Sequence, residues 1–136
     1  EAEHMLATRL YQNTAKVHFN QFVEGKGRFG RRLVYGGHII SLARGLSFNG
    51  LGSAHKVLAI NGGRHVNPVF AGNTVHAWSE VLETAVLSDR HGALRLRTIA
   101  TKDSLCTHFP GTDAAGKYLE EVVLDFDYWV LVPRKV

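Results

Sequence analysis

His18 follows Asn13 by five residues, and a basic, glycine-rich loop then leads to Gly36-Gly37 at the head of an apolar helical pattern. An imidazole can take or give a proton near neutral pH. A helix N-terminus presents unpaired N–H groups and partial positive charge, which suit a developing oxyanion. The stretch from Gln12 to Arg44 therefore joins an acid/base candidate, His18, to an anion-stabilising one, the amides of Gly36 or Gly37. A histidine bonded to backbone for structural reasons fits the same turn, and spacing does not choose between the two.

Other chemistries find less support. His18, His38 and His65 lack a tight ligand motif such as HExxH and have no carboxylate at useful spacing, so no metal is expected. His55, His76, His91 and His108 fall in loops or strand positions without a partner. Ser41 lies inside a helix with no GxSxG elbow, and Cys106 sits in a loop. As the lone cysteine, Cys106 excludes an internal disulfide and a four-cysteine zinc site, as suits a reducing cytoplasm. The net charge of +4 favours an anionic partner. Its one local cluster, Lys26, Arg28, Arg31 and Arg32, suits a few phosphates or a solvated loop, not nucleic acid. No apolar run approaches the roughly 18 to 20 residues that span a bilayer. The start, EAEHMLATRL, has no signal-peptide architecture and reads as an interior segment.

The elements that would position these groups follow from periodicity. Residues 3–12 form a short helix with Met5, Leu6 and Leu10 on one side, ended by Asn13 and Thr14. Residues 19–32 form a loop over the site. A helix over about 37–49 places Ile39, Leu42, Ala43 and Leu46 on one stripe, and it should be the most buried element. Strands follow at 56–60 and 65–70, broken by Asn61-Gly62-Gly63, then at 74–84, 94–101 and 122–132. The last alternates Val122, Leu124, Phe126, Tyr128, Val130 and Val132 against Asp125 and Asp127, one face buried and one wetter. Residues 103–118 form the longest other loop. One domain of α+β class results, an antiparallel sheet wrapped round a central helix. An open sheet edge favours pairing with another subunit, and the final strand is the expected contact.

Six segments carry a resemblance that runs nearly end to end: EHMLATRL, QNTAKVHF, GRRLVYGGHIISLARGLSFNGL, NPVFAGNTVHAWSEVL, GALRLR and LDFDYWVLVPR. The chain resembles the second half of a two-repeat member of the MaoC-like, R-specific enoyl-CoA hydratase family, whose domains are hot-dog folds. The family motif has an aspartate five residues before a catalytic histidine, then an HG pair opening the central helix. The resemblance implies that His18 stands at the histidine position and Asn13 at the aspartate. Tyr35-Gly36 stands at the HG pair, and NPVFAGNT at the strand-opening PVxxGDT segment. Two departures stand out. Asparagine is no carboxylate base, so Asn13 would orient water while His18 moves the proton. The strand that usually opens a hot-dog domain is also missing ahead of the first helix.

The resemblance implies reversible hydration of an α,β-unsaturated acyl-CoA, mesaconyl-CoA to β-methylmalyl-CoA, with no cofactor beyond the coenzyme A of the substrate. Lys16, Arg28, Arg31, Arg32 and Arg64 are the candidates for the substrate's carboxylate and phosphates. The implied partner is a second copy in a homo-dimer or higher oligomer, or a separate first-half hot-dog domain, and not a membrane. Besides a general (R)-specific enoyl-CoA hydratase, two alternatives remain open. One is a non-catalytic half that supplies an acyl-CoA pocket to a catalytic partner. The other is a hot-dog thioesterase, which would want a carboxylate near the central helix, and residues 36–50 contain none.

Overall fold

The computed structural model describes residues 1–135. Helix α1 (Ala2–Leu10) is followed by a 3-10 turn (Lys16–His18), a short α2 (Gln21–Glu24), α3 (Gly36–Leu46) and α4 (Phe48–Leu51). Strands β1 (Lys56–His65), β2 (Val75–Val86), β3 (His91–Lys102) and β4 (Val122–Pro133) then form one antiparallel sheet in the order β1-β4-β3-β2. Helix α3 lies across β2, β3 and β4, which is the hot-dog arrangement.

Alternation in β4 does what the sequence implies. Leu124, Phe126, Tyr128 and Val130 are buried, and the core they share with Leu96 and Ala100 of β3 takes in Ile39 and Ala43 of α3. At the start of the strand the expectation is corrected: Val122 and Val123 are both buried, and Val123 joins this core instead of Val122, where the register with β3 shifts between Ala100 and Thr101. On the opposite face Asp127 accepts two bonds from Arg95, 3.0 and 2.7 Å, and Asp125 two from Arg97, 3.1 and 2.7 Å. These are diagonal cross-strand pairs, since the register sets Arg97 against Asp127 and Ile99 against Asp125. They hold both carboxyls below their ordinary range. Burial opposes the shift at Asp125, but the bonds from Arg97 and Tyr118 outweigh it, and at Asp127 the Arg95 bond leads.

Three further expectations are corrected. The Asn61-Gly62-Gly63 stretch does not break a strand. Register shifts between Val57 and Ala59 and between Ile60 and Gly62 absorb it, so β1 runs unbroken to His65 and residues 66–70 leave the sheet. The final strand is no edge, because β4 bonds to β1 on one side and β3 on the other; the free edges belong to β1 and β2. Nor is α3 the most buried element. Ile39 and Ala43 are sealed, but Leu42 is 38% exposed and Leu46 49%. Positions 39 and 43, one turn apart, are sealed against the sheet, Ile40 packs against the same core in part, and Leu42 and Leu46 lie on its flank. Strands β3 and β4 hold the deepest side chains.

Candidate active site

At the N-terminal end of α3 the chain encloses a cavity of about 420 Å³. Its walls are His18 from the 3-10 turn, Phe29 and residues 33–36 from the loop and helix start, Ile39, Val123, and His65 to Val69 after the end of β1. Two stretches distant in sequence, 18–39 and 65–69, thus face one another. Backbone bonds tie them: Leu33 N–H donates to Val17 O at 3.1 Å, and Val34 N–H to Val69 O at 2.9 Å. The far wall is braced by Asn67, whose amide donates to Leu119 O and Val122 O.

His18 is held by its Nδ1, 3.0 Å from Leu33 O. A carbonyl oxygen can only accept, so Nδ1 carries the hydrogen and, in the neutral ring, Nε2 is left as an acceptor. The ring also meets Tyr35 edge-on, with centroids 5.4 Å apart. The backbone bond expected of a structural histidine is therefore present, and it is also what prepares the other nitrogen to take a proton.

Tyr35 precedes α3 in extended conformation and folds its ring over the helix start, where a methyl group on Gly37 would lie 2.5 Å from the ring. Neither Gly36 nor Gly37 donates its N–H to an acceptor among the described residues; the first bonds of the helix come from His38 and Ile39. Gly36 in turn lies beside His65. A methyl group there would come 2.8 Å from Cδ2 of His65, and closer still to Cε1 and Nε2. The cavity thus contains, in His18, an imidazole with an unprotonated nitrogen and a helix terminus with unsatisfied donors, which is what acid/base attack next to a carbonyl requires.

The remaining predicted residues divide. Asn13 is not part of the cavity wall; its side-chain oxygen accepts from Ala15 N–H at 2.8 Å, an Asx turn that leads into the His18 turn. Lys16 is exposed within that turn. Arg28 lies over Phe29 and Arg31 over Phe70, 5.1 and 3.9 Å from the ring centres, and these two rings pack together beside the cavity. Arg32 is instead mostly buried, bonded to Glu1 and to Phe19 O. Arg64 points to the other face of the sheet, towards Tyr118 and Asp125, because strand alternation sends it away from His65. His65 itself, weighed from sequence only as a metal ligand, lines the cavity. The available signal was its place just ahead of the NPVFAGNT segment.

No family model matches the chain. Over 99% of its length it is 66% identical to the β-methylmalyl-CoA dehydratase of Chloroflexus aurantiacus, and over 98% it is 58% identical to the mesaconyl-CoA hydratase of Cereibacter sphaeroides. It spans 39% and 38% of those proteins, so about two fifths of the length of the curated relatives it matches. A solved MaoC domain protein from Chloroflexus aurantiacus superposes with a TM-score of 0.94 at 64% identity, over 99% of this chain and 39% of that one. The likeness to MaoC-like hydratases read from the sequence holds over nearly the whole chain.

Proposed function

We propose that this hot-dog chain, homologous to part of the dehydratase and hydratase just described, adds and removes water reversibly at an α,β-unsaturated acyl-CoA, with mesaconyl-CoA and β-methylmalyl-CoA as the pair. Water attacks the β-carbon while His18 Nε2 takes its proton. Negative charge moves to the thioester oxygen, where the free amides of Gly36 and Gly37 receive it. Return of the proton from His18 to the α-carbon completes the addition, and dehydration runs the same steps backwards. Asn13 shapes the turn that carries His18. Arg28 and Arg31, on their aromatic supports, take the phosphates of coenzyme A.

The observation that supports this reading most is the placement of His18, its tautomer set by Leu33 O, in one cavity with the unpaired amide end of α3. Loss of the enoyl-thioester absorbance on adding mesaconyl-CoA tests it. His18→Ala should bind the substrate and not turn it over. Turnover by that variant at the wild-type rate would defeat the assignment.

One observation favours a second reading, a half that lends a pocket to a catalytic partner. Asn13 offers no carboxylate, and Leu42, Leu46 and Phe48 leave an exposed apolar strip beside α3, with Val57, Leu58 and Ile60 exposed on β1. Such surfaces suit a neighbouring hot-dog domain, either a second copy or a separate chain. Light scattering with mesaconyl-CoA titrated into the same sample separates the cases. A monomer that hydrates its substrate excludes the need for a partner.

A further inference from the structure

His65 is the last residue of β1, paired with Leu124, and the next amide, Val66 N–H, bonds Val123 O at 3.0 Å. The backbone beneath it is therefore fixed by β4. Its ring lies against the Cα of Gly36, the residue whose amide is the proposed oxyanion donor. Neither ring nitrogen has a hydrogen-bond partner among the described residues, in contrast to Asn67 on the same wall, whose side-chain N–H groups are both given to backbone carbonyls. Burial of part of the ring lowers its basicity below the ordinary value. Near neutral pH it is thus an uncharged imidazole with one N–H donor and one acceptor. His18 already supplies the acceptor for the proton of water.

From this placement we infer that His65 donates a ring N–H to the thioester carbonyl oxygen, as a further donor beside the Gly36 amide. An uncharged imidazole at a helix N-terminus is a competent electrophile for a carbonyl. Its hydrogen bond strengthens as the oxygen gains charge and transfers no proton. The interaction is therefore worth more in the transition state than in the bound substrate. The same contact means that a methyl group at position 36 would displace the ring. This inference rests on the hydratase reading.

The test compares the wild-type chain with His65→Leu, which fills the space without a donor, and His65→Gln, which keeps an N–H. With mesaconyl-CoA, His65→Leu should lose about 10²- to 10³-fold in kcat, the usual effect of removing one oxyanion donor, with KM little changed. His65→Gln should recover part of the loss. The carbonyl stretch of bound ¹³C-labelled butyryl-CoA, read by infrared difference spectroscopy, should move back towards its value in water in the leucine variant. A purely structural role would leave that band in place. The wild-type protein gives an independent reading should the leucine variant not fold: the ring N–H resonance of ¹⁵N-labelled His65 should move downfield when butyryl-CoA binds. An unmoved resonance, or an unmoved band with kcat within about threefold of wild type, overturns the inference. If His65→Leu is unaffected while His18→Ala is inactive, His65 alone is excluded and the hydratase reading stands. If the wild type neither binds nor hydrates an acyl-CoA, both fall together.

Discussion

Strands β1 and β4 bond to each other for most of their length, yet they could hardly differ more in what surrounds them. In β4 the inward side chains are sealed, whereas all ten residues of β1 are exposed. The difference follows from position. β4 has a strand on each side and α3 above it; β1 is an edge that meets α3 only at its end, where His65 lies beside Gly36. Main-chain bonds alone make a strand, but only packing on a face makes a core. The two strands accordingly carry different duties, stability in β4 and, at the end of β1, a cavity wall whose side chains remain free to meet a ligand.

The sharpest way to break this division is at the cavity. His18→Ala should lower kcat by about 10²- to 10⁴-fold, equivalent to roughly 3 to 5 kcal/mol of barrier. Its melting temperature should stay near that of the parent, since the ring is only half-buried. Coupled loss of fold and rate in calorimetry and kinetics would show that the turn belongs to the structural half of the molecule.

The direct comparison of the strands comes next. Leu124→Ala in β4 should cost about 2 to 5 kcal/mol in urea unfolding, because the removed methyl groups are fully enclosed. Leu58→Ala in β1, at a side chain 42% exposed, should stay within about 1 kcal/mol. Equal losses would mean that something covers β1 in solution.

How much of this was legible beforehand depends on how local each cause is. The alternation of β4 is written in consecutive residues, and so is the Gly-Gly entry to α3. The place of β4 in the sheet is not, because a clean alternating strand can be central or at an edge; its register with β1 and β3 is a long-range fact. The stripe of α3 was overestimated for a related reason. Spacing of i, i+3, i+4 and i+7 identifies an apolar side, while the width of the sheet beneath decides that only Ile39 and Ala43 are sealed. His18, Gly36 and Gly37 lie within 20 residues of one another and could be joined by reading along the chain. His65 joins them only through the pairing of β1 with β4, and its one local sign is its place just ahead of the NPVFAGNT segment.

A smaller effect should appear with pH. His4 is on the buried side of α1 at 5% exposure, its two ring nitrogens without partners, and burial lowers its pKa below 6.5. The unfolded chain then binds the proton more readily than the folded one. His4 leaves stability intact above about pH 6.5 and erodes it as pH falls from there towards the depressed folded value. Asp125 and Asp127, held low by their arginines, begin to contribute losses only at more acidic pH, as they protonate. Replacing His4 by leucine should therefore flatten the decline in melting temperature just below pH 6.5 while leaving the more acidic limb. An unchanged profile would place the titrating group elsewhere.

The smallest expected effect probes the flank of α3. Leu42 faces partly into solvent, one position before the sealed Ala43, so truncating it removes contacts on one side only. Leu42→Ala should cost under about 1.5 kcal/mol in dilute solution, less than the 2 to 5 kcal/mol of an enclosed leucine. Protein concentration makes the measurement discriminating. If the chain melts as an isolated unit, the loss will be the same at every concentration. If a second copy lies over Leu42, Leu46 and Phe48, the parent's melting temperature will rise with concentration by mass action and the variant's will rise less. A loss as large as that of Leu124→Ala, independent of concentration, would show that Leu42 is covered within the chain itself and would erase the contrast between the sealed sheet centre and the open flank.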